Sequence, residues 1–482
     1  MIRQINRVTA VLVVLMLALI ANLTYVQFFE SRNLRAQPGN QRILLTEYSK
    51  QRGAILLSSA PIAESIRTND ALKYLRTYDQ GSTYAAITGY YSLVYGATGL
   101  EAKENDVLLG NDSRFFVDRL QQLFANRQQQ GGAVRLTVNP NAQVAAMKAL
   151  AGRTGAVVAI EPRTGAILAL ASSPSFDPNK LSSHDPAGIQ KTYTALNLDP
   201  RQPLLNRALA MTLPPGSTFK LITTAAALES GRFNANSTIP GPASIALPGS
   251  SHRLGNWTNR ACGNQAKTSL DNALAISCNT AFAWLGMQLG ADELRTQAEK
   301  FGFGTSFSVP MIGATSKFPE NPDDAQTAMS AIGQFDVQAS PLQMAMVAAG
   351  IANNGVVMKP YIVSQILGPN LKVLENATPT QFSRAMSETN ARALKDMMVH
   401  VVARGTGSNA RITGVAVGGK TGTAETKPGS AAHAWFVALA PATNPQVAIA
   451  VVLENGGGAR EISGNGLAAP IAKAVMQAVL KK

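Results

Sequence analysis

The sequence predicts an α+β protein: an antiparallel sheet flanked by helices, preceded by a smaller mixed domain and one transmembrane helix. Three observations support this fold class. A long apolar run opens the chain, strands early and late enclose a largely helical middle, and a helix closes the chain. Strands grouped apart from helices are typical of α+β layers, whereas regular alternation would indicate a parallel sheet. With 482 residues, 46% of them hydrophobic, the chain can bury a sizeable core.

The apolar run occupies residues 8–29 and follows Arg3 and Arg7. It is long enough to cross a bilayer as a helix of about 20 residues, and the leading charges favour a cytoplasmic amino terminus. A cleaved signal peptide is the alternative, but it would have a shorter apolar stretch, and the surroundings of Ala21 fit a cleavage site poorly. We therefore expect a cytoplasmic tail over residues 1–7 and an uncleaved single-pass anchor in the cytoplasmic membrane. The rest of the chain is expected on the extracytoplasmic side.

A formal net charge of +14 raises the question of a polyanionic partner. The sequence has no arginine-rich block, zinc-ligand spacing or basic stripe interleaved with aromatic residues, so we expect no nucleic-acid partner. The histidines are scattered and form no metal-ligand spacing, and we expect neither a metal nor a cofactor. They are His184, His252, His400 and His433.

A change in composition divides the remainder of the chain at about residue 140. Residues 30–140 combine polar residues with short apolar stretches, and their first long helical pattern comes at 115–126. The run QQQGG at 128–132 indicates a linker. Residues 141–482 begin with a predicted helix and a hairpin turning at Arg163-Thr164-Gly165. Further predicted elements are strands at 415–424, 434–440 and 447–453, helices at 142–151 and 468–480, and the hairpin at 155–172.

The first chemical motif is Pro-Pro-Gly-Ser-Thr-Phe-Lys, in which Ser217 is expected to begin a helix that ends before Gly231. Lys220 comes three residues later and so shares a helix face with Ser217. A serine at the positive end of a helix can act as a nucleophile, and a neutral lysine can take its proton. Taken alone, the same residues could be a helix cap and a solvated lysine.

Two further motifs follow in order. Ser277-Cys278-Asn279 lies at a predicted break between helices; similar S-x-N strings occur at 31–33 and 463–465, but not between the other motifs. Lys420-Thr421-Gly422-Thr423 lies on a predicted apolar strand. The order S-x-x-K, S-x-N, K-T-G is the signature of penicillin-binding proteins and class A β-lactamases.

On these motifs the chain resembles class B penicillin-binding proteins, and within them the penicillin-binding protein A group of actinobacteria. The resemblance covers essentially the whole chain. Weaker matches include Arg52-Gly53, the string Gly96–Glu101, and Leu136–Val138 together with Gln143. Cys278 departs from the family, in which many relatives carry Asp, Ser or another small residue at this position.

The resemblance implies a peptidoglycan D,D-transpeptidase that is covalently inhibited by β-lactams. Ser217 would attack the penultimate D-Ala carbonyl of a stem peptide ending in D-Ala-D-Ala, with Lys220 as general base. Ser277 would relay the proton to the departing D-Ala, and Asn279 would hold the substrate amide. Lys420 would supply positive charge for the terminal carboxylate and help to keep Lys220 neutral.

The resemblance also assigns the remaining residues of the third motif. Thr421 and Thr423 would offer hydroxyls to the carboxylate, while Gly422 permits close approach of a ligand to the backbone. The N–H groups of Ser217 and Thr423 would form the oxyanion hole. No stretch resembles a glycosyltransferase domain. A separate glycosyltransferase and other division or elongation proteins are therefore expected as partners.

Several alternatives remain open at this point. A D,D-carboxypeptidase differs mainly in using water as the acceptor. A class D-like β-lactamase shares Ser-Thr-Phe-Lys, but its second motif normally ends in an aliphatic residue where this chain has Asn279. A β-lactam sensor would have several membrane spans, and an inactive division scaffold would tolerate decay of the motifs.

Cys262 and Cys278 are the two cysteines of the chain. Because the extracytoplasmic compartment is oxidising, we expect them to form a disulfide, with Cα atoms within about 7 Å of each other. The alternative is two buried free thiols.

Overall fold

The structure is a computed structural model that describes residues 2–28, 47–116, 119, 124, 129–424, 431–455 and 463–481. In chain order the α-helices are α1 (Ile2–Phe28), α2 (Gly81–Thr88), α3 (Gly99–Lys103), α4 (Asn105–Leu108), α5 (Pro140–Leu150), α6 (Pro186–Leu198), α7 (Arg207–Ala210), α8 (Lys220–Glu229), α9 (Leu270–Ala275), α10 (Asn279–Leu289), α11 (Ala291–Lys300), α12 (Asp324–Ser330), α13 (Pro341–Ala352), α14 (Glu388–Arg404) and α15 (Ala469–Leu480).

The strands are β1 (Ile55–Leu57), β2 (Ala60–Arg67), β3 (Tyr74–Tyr78), β4 (Tyr91–Ser92), β5 (Gly96–Ala97), β6 (Ala133–Leu136), β7 (Gly155–Ile160), β8 (Ile167–Ser173), β9 (Thr238–Pro240), β10 (Ser244–Ala246), β11 (Arg253–Gly255), β12 (Lys267–Ser269), β13 (Val356–Met358), β14 (Val363–Leu367), β15 (Val373–Asn376), β16 (Gln381–Arg384), β17 (Gly418–Ala424), β18 (His433–Ala440) and β19 (Val447–Leu453).

Helix α1 contains the predicted membrane anchor. Its segment Asn6–Gln27 has a mean hydropathy of 2.3 and packs against no other part of the described chain. Within the described ranges it is the one helix long and apolar enough to cross a membrane. Helix α1 is therefore a candidate membrane span close to the predicted range; residue 29 lies outside the described residues.

The central sheet is antiparallel, with the order β17-β18-β19-β7-β8. The predicted hairpin is confirmed, since β7 pairs with β8, and the late strands and the closing helix lie within a few residues of their predicted bounds. Strands β7, β18 and β19 are buried along their whole length because helices cover both faces of the sheet. Helix α13 packs on one face, and α5 and α15 pack on the other.

A second sheet, the pedestal sheet, has the order β15-β14-β6-β1-β2-β3. Strand β1 pairs in parallel with β6, whose other edge pairs with β14. Two strands from residues 363–376 therefore complete a sheet whose other members all precede residue 140. The predicted domain boundary at residue 140 separates the motifs from the amino-terminal region. The pedestal sheet, however, contains strands from both sides of that boundary.

The predicted linker at 128–132 is wrong for its described part. Gly131 and Gly132 are buried, and the Gly131 N–H donates to Gln51 O at 2.9 Å. A Cβ atom added at Gly53 would lie only 1.7 Å from Gly132 O. These glycines allow two backbone segments to cross in direct contact. A glycine-rich sequence is compatible with such close packing as well as with a flexible linker, so composition alone does not distinguish the two. Residue 128 and most of the predicted helix at 115–126 lie outside the described residues.

A buried ion cluster explains two of the weaker sequence matches. The Glu101 carboxylate accepts hydrogen bonds from Arg52 Nε at 2.6 Å and Arg76 Nε at 2.7 Å, and from the Tyr78 hydroxyl at 3.2 Å. Burial alone would raise the pKa of Glu101, but the two guanidinium charges outweigh it and hold the pKa below its usual value. Because burying the charges separately would be costly, the cluster joins the segment before β1 to β3 and α3 in one arrangement.

Gln143 joins the amino-terminal region to the central sheet. Its side-chain amide donates to Thr83 O at 2.9 Å and to Leu170 O at 3.0 Å, and it accepts from Leu170 N at 2.8 Å. These bonds connect α2 to β8 through one fully buried side chain. The contact fixes where the pedestal sheet meets the domain that contains the motifs.

Candidate active site

Ser217 lies in a single 3₁₀ turn, Gly216–Thr218, that runs directly into α8. It does not cap the helix, contrary to the expectation from the sequence. Gly216 has φ of +56°, and a Cβ atom there would lie 2.5 Å from Thr423 O. The Gly216 N–H donates to Gly333 O at 2.9 Å. The turn that presents Ser217 is therefore held between two segments distant in sequence.

Lys220 is the first residue of α8 and is fully buried. Its Nζ atom donates to Ser277 O at 2.9 Å, to Ser277 Oγ at 3.2 Å and to Asn279 Oδ1 at 2.7 Å. Burial, and secondarily the charge of Lys420, holds the pKa of Lys220 well below its usual value. The first and second motifs are thus in direct contact around a lysine that is readily neutral.

Lys420 approaches the same serine from strand β17. Its Nζ atom donates to Ser277 Oγ at 2.8 Å and to Thr421 O at 3.1 Å. Burial lowers the pKa of Lys420 to about 7. In the described part of the chain neither Lys220 nor Lys420 has a carboxylate partner.

The second motif forms the turn between α9 and α10, where a break between helices was predicted. Ser277 has φ of +58°, in the left-handed region that non-glycine residues seldom occupy. This conformation lets both the carbonyl and the hydroxyl of Ser277 face Lys220. Backbone strain of this kind is commonly found at functional sites.

Gly422 lies where the third motif meets the turn of Ser217. A Cβ atom at Gly422 would lie 2.8 Å from Pro215 O, 2.8 Å from Trp435 Cβ and 3.0 Å from Thr218 Cγ2. A larger residue would push the nucleophile turn away from β17. Thr421 is 9% exposed on the same strand, and Thr423 is partly exposed. All three predicted motifs therefore meet in one place.

Comparison with known proteins agrees with this geometry. Residues 155–477 match the penicillin binding protein transpeptidase domain, and residues 52–134 match the penicillin binding protein A dimerisation domain. The chain belongs to the penicillin-binding protein transpeptidase family.

Curated relatives match the chain over nearly its whole length. The chain is 44% identical to peptidoglycan D,D-transpeptidase PbpA of Mycolicibacterium smegmatis over 488 residues, covering 99% of both chains. It is 43% identical to PbpA of Mycobacterium tuberculosis, again covering 99% of both. A solved structure of M. tuberculosis penicillin-binding protein A, a ceftriaxone acyl-enzyme complex, superposes with a TM-score of 0.87 at 43% identity. The match covers 91% of this chain and 100% of that one.

The disulfide joins the second motif of this penicillin-binding protein to a preceding loop. Cys262 and Cys278 are bonded, with Cα atoms 6.2 Å apart, within the distance expected from the sequence. The loop is also tied at Cys262, whose N–H donates to Gly241 O at 2.8 Å. The neighbour of Ser277 is therefore anchored covalently.

Sequence reasoning missed Asn256, which is nearly fully buried beside the second motif. Its Oδ1 atom accepts from Thr280 N at 3.0 Å and Thr280 Oγ1 at 3.2 Å, and its Nδ2 atom donates to Pro242 O and Arg260 O. Asn256 thus holds the first turn of α10. It lies in an irregular loop with no periodic pattern, so no local signal could have identified it.

The next residue, Trp257, was missed as well. Its indole N–H donates to Ile276 O at 3.4 Å, and 42% of the residue is exposed beside the Ser277 turn. The S-x-N copy at 463–465 has a different environment: the Asn465 side chain accepts from Asn409 N at 2.9 Å. The copy at 31–33 lies outside the described residues. Among the described residues no acid, histidine or cysteine cluster is arranged to hold a metal ion.

Proposed function

We propose that this protein is a membrane-anchored peptidoglycan D,D-transpeptidase that forms cross-links by serine acyl transfer. One observation carries the proposal: two fully buried lysines from different motifs both hydrogen-bond to the hydroxyl of Ser277, next to the turn of Ser217. Buried lysines without a carboxylate partner are costly, and such groups are concentrated at sites of proton transfer.

In the acylation step Ser217 Oγ forms a bond to the penultimate D-Ala carbonyl carbon of a donor stem peptide. Its proton passes to neutral Lys220, which lies one helical turn away. Lys220 then donates to Ser277, whose own hydroxyl proton goes to the nitrogen of the terminal D-Ala. The C–N bond breaks, D-Ala leaves as a neutral amine, and the peptide remains as an ester on Ser217.

The two lysines have different roles in this scheme because Lys220 is neutral whereas Lys420 carries a positive charge. Burial favours the neutral form of Lys220, and a charged Lys420 favours it further. Lys420 is itself fully buried behind Ser277 and Thr421, so it acts on a substrate carboxylate through its electrostatic field. The hydroxyls of Thr421 and Thr423 contact that carboxylate directly.

Two further groups hold the reacting amide. The N–H groups of Ser217 and Thr423 stabilise the oxyanion, because the Ser217 turn lies against β17 at the contact between Gly216 and Thr423. Asn279 binds the backbone amide of the donor through its Nδ2 group, which donates to Gly255 O at 3.4 Å. Gly422 keeps the strand close to the nucleophile.

In the second half-reaction an amine of a neighbouring stem peptide attacks the ester. A new C–N bond forms, the bond to Ser217 breaks, and the amine proton returns through Lys220 to Ser217 Oγ. A β-lactam enters the first half-reaction as a cyclic donor, and its leaving nitrogen stays attached and hinders the second. Among the described residues, the hydrogen bonds that join Lys220, Ser277, Asn279 and Lys420 include no carboxylate that could activate water.

We further propose that α1 anchors the chain in the cytoplasmic membrane with the motifs on the extracytoplasmic side. Residues 30–140 are the non-catalytic pedestal, and residues 141–482 are the transpeptidase domain. A separate glycosyltransferase supplies the glycan strands.

The decisive experiment incubates the full chain in detergent with a pentapeptide donor and an amine acceptor. The expected product is the donor joined to the acceptor with loss of one D-Ala, identified by mass spectrometry. A product that has only lost D-Ala to water would make the enzyme a D,D-carboxypeptidase. Rapid turnover of penicillin would instead make it a β-lactamase.

A further inference from the structure

The segment Gly405–Gly407 lies between the second and third motifs. The Thr406 N–H donates to Ala275 O at 3.0 Å, at the end of α9 and two residues before Ser277. A Cβ atom at Gly405 would lie 2.2 Å from the same carbonyl oxygen. The backbone of this segment therefore packs directly on the helix end that leads into the Ser277 turn.

The side chain of Thr406 points to the third motif. Thr406 Oγ1 lies 2.8 Å from Thr421 Oγ1, a hydrogen-bond distance in which either hydroxyl can donate. Thr406 is half-buried and Thr421 is 9% exposed, so the pair lies at the edge of the site with one side open.

The position of Thr406 is fixed by contacts between the end of α14 and α9. At the end of α14, Arg404 Nη2 contacts Asp271 Oδ2 at 2.5 Å, and His400 Nδ1 contacts Asp271 Oδ1 at 2.8 Å. Asp271 belongs to α9, so these contacts join the same two elements as the bond from Thr406 to Ala275. The backbone that presents the Thr406 hydroxyl to Thr421 is thus attached to α9 by three hydrogen-bond contacts.

We propose that Thr406 is a positioning residue of the carboxylate subsite, and this inference rests on the function proposed above. A hydroxyl has one proton, and a carboxylate can only accept hydrogen bonds. Thr421 can donate to the substrate carboxylate and still be fixed only if it accepts from another group. Thr406 is the hydroxyl placed to donate to it. Consecutive hydroxyls aligned in this way polarise one another and strengthen the final bond to the carboxylate.

Substitutions of the Thr406 side chain distinguish a role in positioning Thr421 from a role in holding the fold. The backbone bond from Thr406 to Ala275 does not involve the side chain, and Thr406→Val removes only the hydroxyl and keeps the shape. Thr406→Ser keeps the hydroxyl. Thr413 is an exposed threonine seven residues further along the chain, and Thr413→Val is the matched control.

The experiment measures the rate constant of covalent capture by the full chain in detergent, using a fluorescent penicillin and its methyl ester. The ester lacks the carboxylate that Thr421 is proposed to bind. We expect Thr406→Val to slow capture of the acid roughly three- to tenfold, the range of one neutral hydrogen bond, and to leave capture of the ester nearly unchanged. Thr406→Ser should restore capture of the acid, and Thr413→Val should match the unmodified chain.

A double variant tests the connection to Thr421. If Thr406 acts through Thr421, then Thr406→Val combined with Thr421→Val should be no slower than Thr421→Val alone. Additive losses, equal losses with acid and ester, or no loss at all would each overturn the inference. If thermal unfolding shows that Thr406→Val is not folded, Thr406→Ala replaces it. An unmodified chain that captures no penicillin overturns the proposed function as well, whereas normal capture with an unaffected Thr406→Val overturns only this inference.

Discussion

Lys220 and Lys420 are both fully buried, and both donate a hydrogen bond to the hydroxyl of Ser277, at 3.2 Å and 2.8 Å. Two ammonium groups on one hydroxyl repel each other, and burial penalises each charge. The pKa of Lys220 is held well below its usual value, and that of Lys420 is lowered to about 7, with burial as the main cause in both. The positive charge of the pair therefore resides on Lys420, which loses it around pH 7, and the predictions on pH and stability below follow from this arrangement.

The first prediction is that penicillin forms a long-lived covalent adduct on Ser217. Its oxygen should attack the β-lactam carbonyl, and in the described chain the hydrogen bonds among Lys220, Ser277, Asn279 and Lys420 include no carboxylate to activate water. Peptide mass mapping of the full chain should locate the adduct on the fragment containing Ser217. Ser217→Ala should abolish labelling, whereas Ser251→Ala, at an exposed serine, should not change it. An adduct on another serine would contradict the assignment.

The second prediction is a bell-shaped pH dependence of capture. Capture should rise with pH while Lys220 loses its proton, because only the neutral amine can accept the proton of Ser217. It should fall at higher pH as Lys420 loses its charge around pH 7, since the penicillin carboxylate then loses its electrostatic partner. The rate constant of capture, measured from about pH 5 to about pH 9, tests this. The methyl ester should lack the falling limb; a falling limb of equal size for the ester would contradict the role of Lys420.

The third prediction is that Lys420→Met makes the protein more stable and less active. The folded pKa of Lys420, about 7, lies below the usual 10.5, so the folded chain binds fewer protons than the unfolded chain between these values. The free energy of unfolding should therefore rise with pH over that window. Below pH 7 the folded protein bears the full cost of burying a charged Lys420. Each pKa unit corresponds to about 1.4 kcal/mol, whereas the two lost hydrogen bonds are worth about 1 kcal/mol each.

Thermal unfolding of the full chain in detergent near pH 7 should consequently occur a few degrees higher for Lys420→Met than for the unmodified protein. The difference should shrink as the pH approaches 10. Lys267→Met changes an exposed lysine and should shift the transition little. A lower unfolding temperature for Lys420→Met would show that the hydrogen bonds of Lys420 outweigh its burial cost.

The fourth prediction concerns the disulfide between Cys262 and Cys278, which are 16 positions apart. Closing a loop of this size stabilises a protein by roughly 3 kcal/mol in the chain-entropy model. Cys262→Ser should therefore lower the unfolding temperature, and it should also slow capture because the Ser277 turn loses its covalent anchor. Non-reducing mass spectrometry should detect the linked peptides. Two thiols that alkylate freely in the native oxidised protein would contradict the bridge.

Much of this architecture could be read from the sequence because the relevant signals are local. Continuous apolar runs predicted the strands of the central sheet, which are buried on both faces. Proline and glycine followed by an alanine-rich helical stretch indicated where the turn of Ser217 lies. The structure has a 3₁₀ turn there and not the expected helix cap. The order of the three motifs indicated that they would meet, but it contained no information about distances or protonation.

The sequence by itself determined the family, the candidate membrane span, the central strands and the residues of the three motifs, because each depends on residue type and short-range spacing. Only the tertiary structure decided that residues 363–376 complete the pedestal sheet, that the glycines at 131–132 pack tightly, and that Asn256 and Thr406 support the motifs. These features depend on contacts between segments far apart in the chain. Such contacts leave no periodic or compositional trace, since one buried side chain or one close backbone approach is enough to make them.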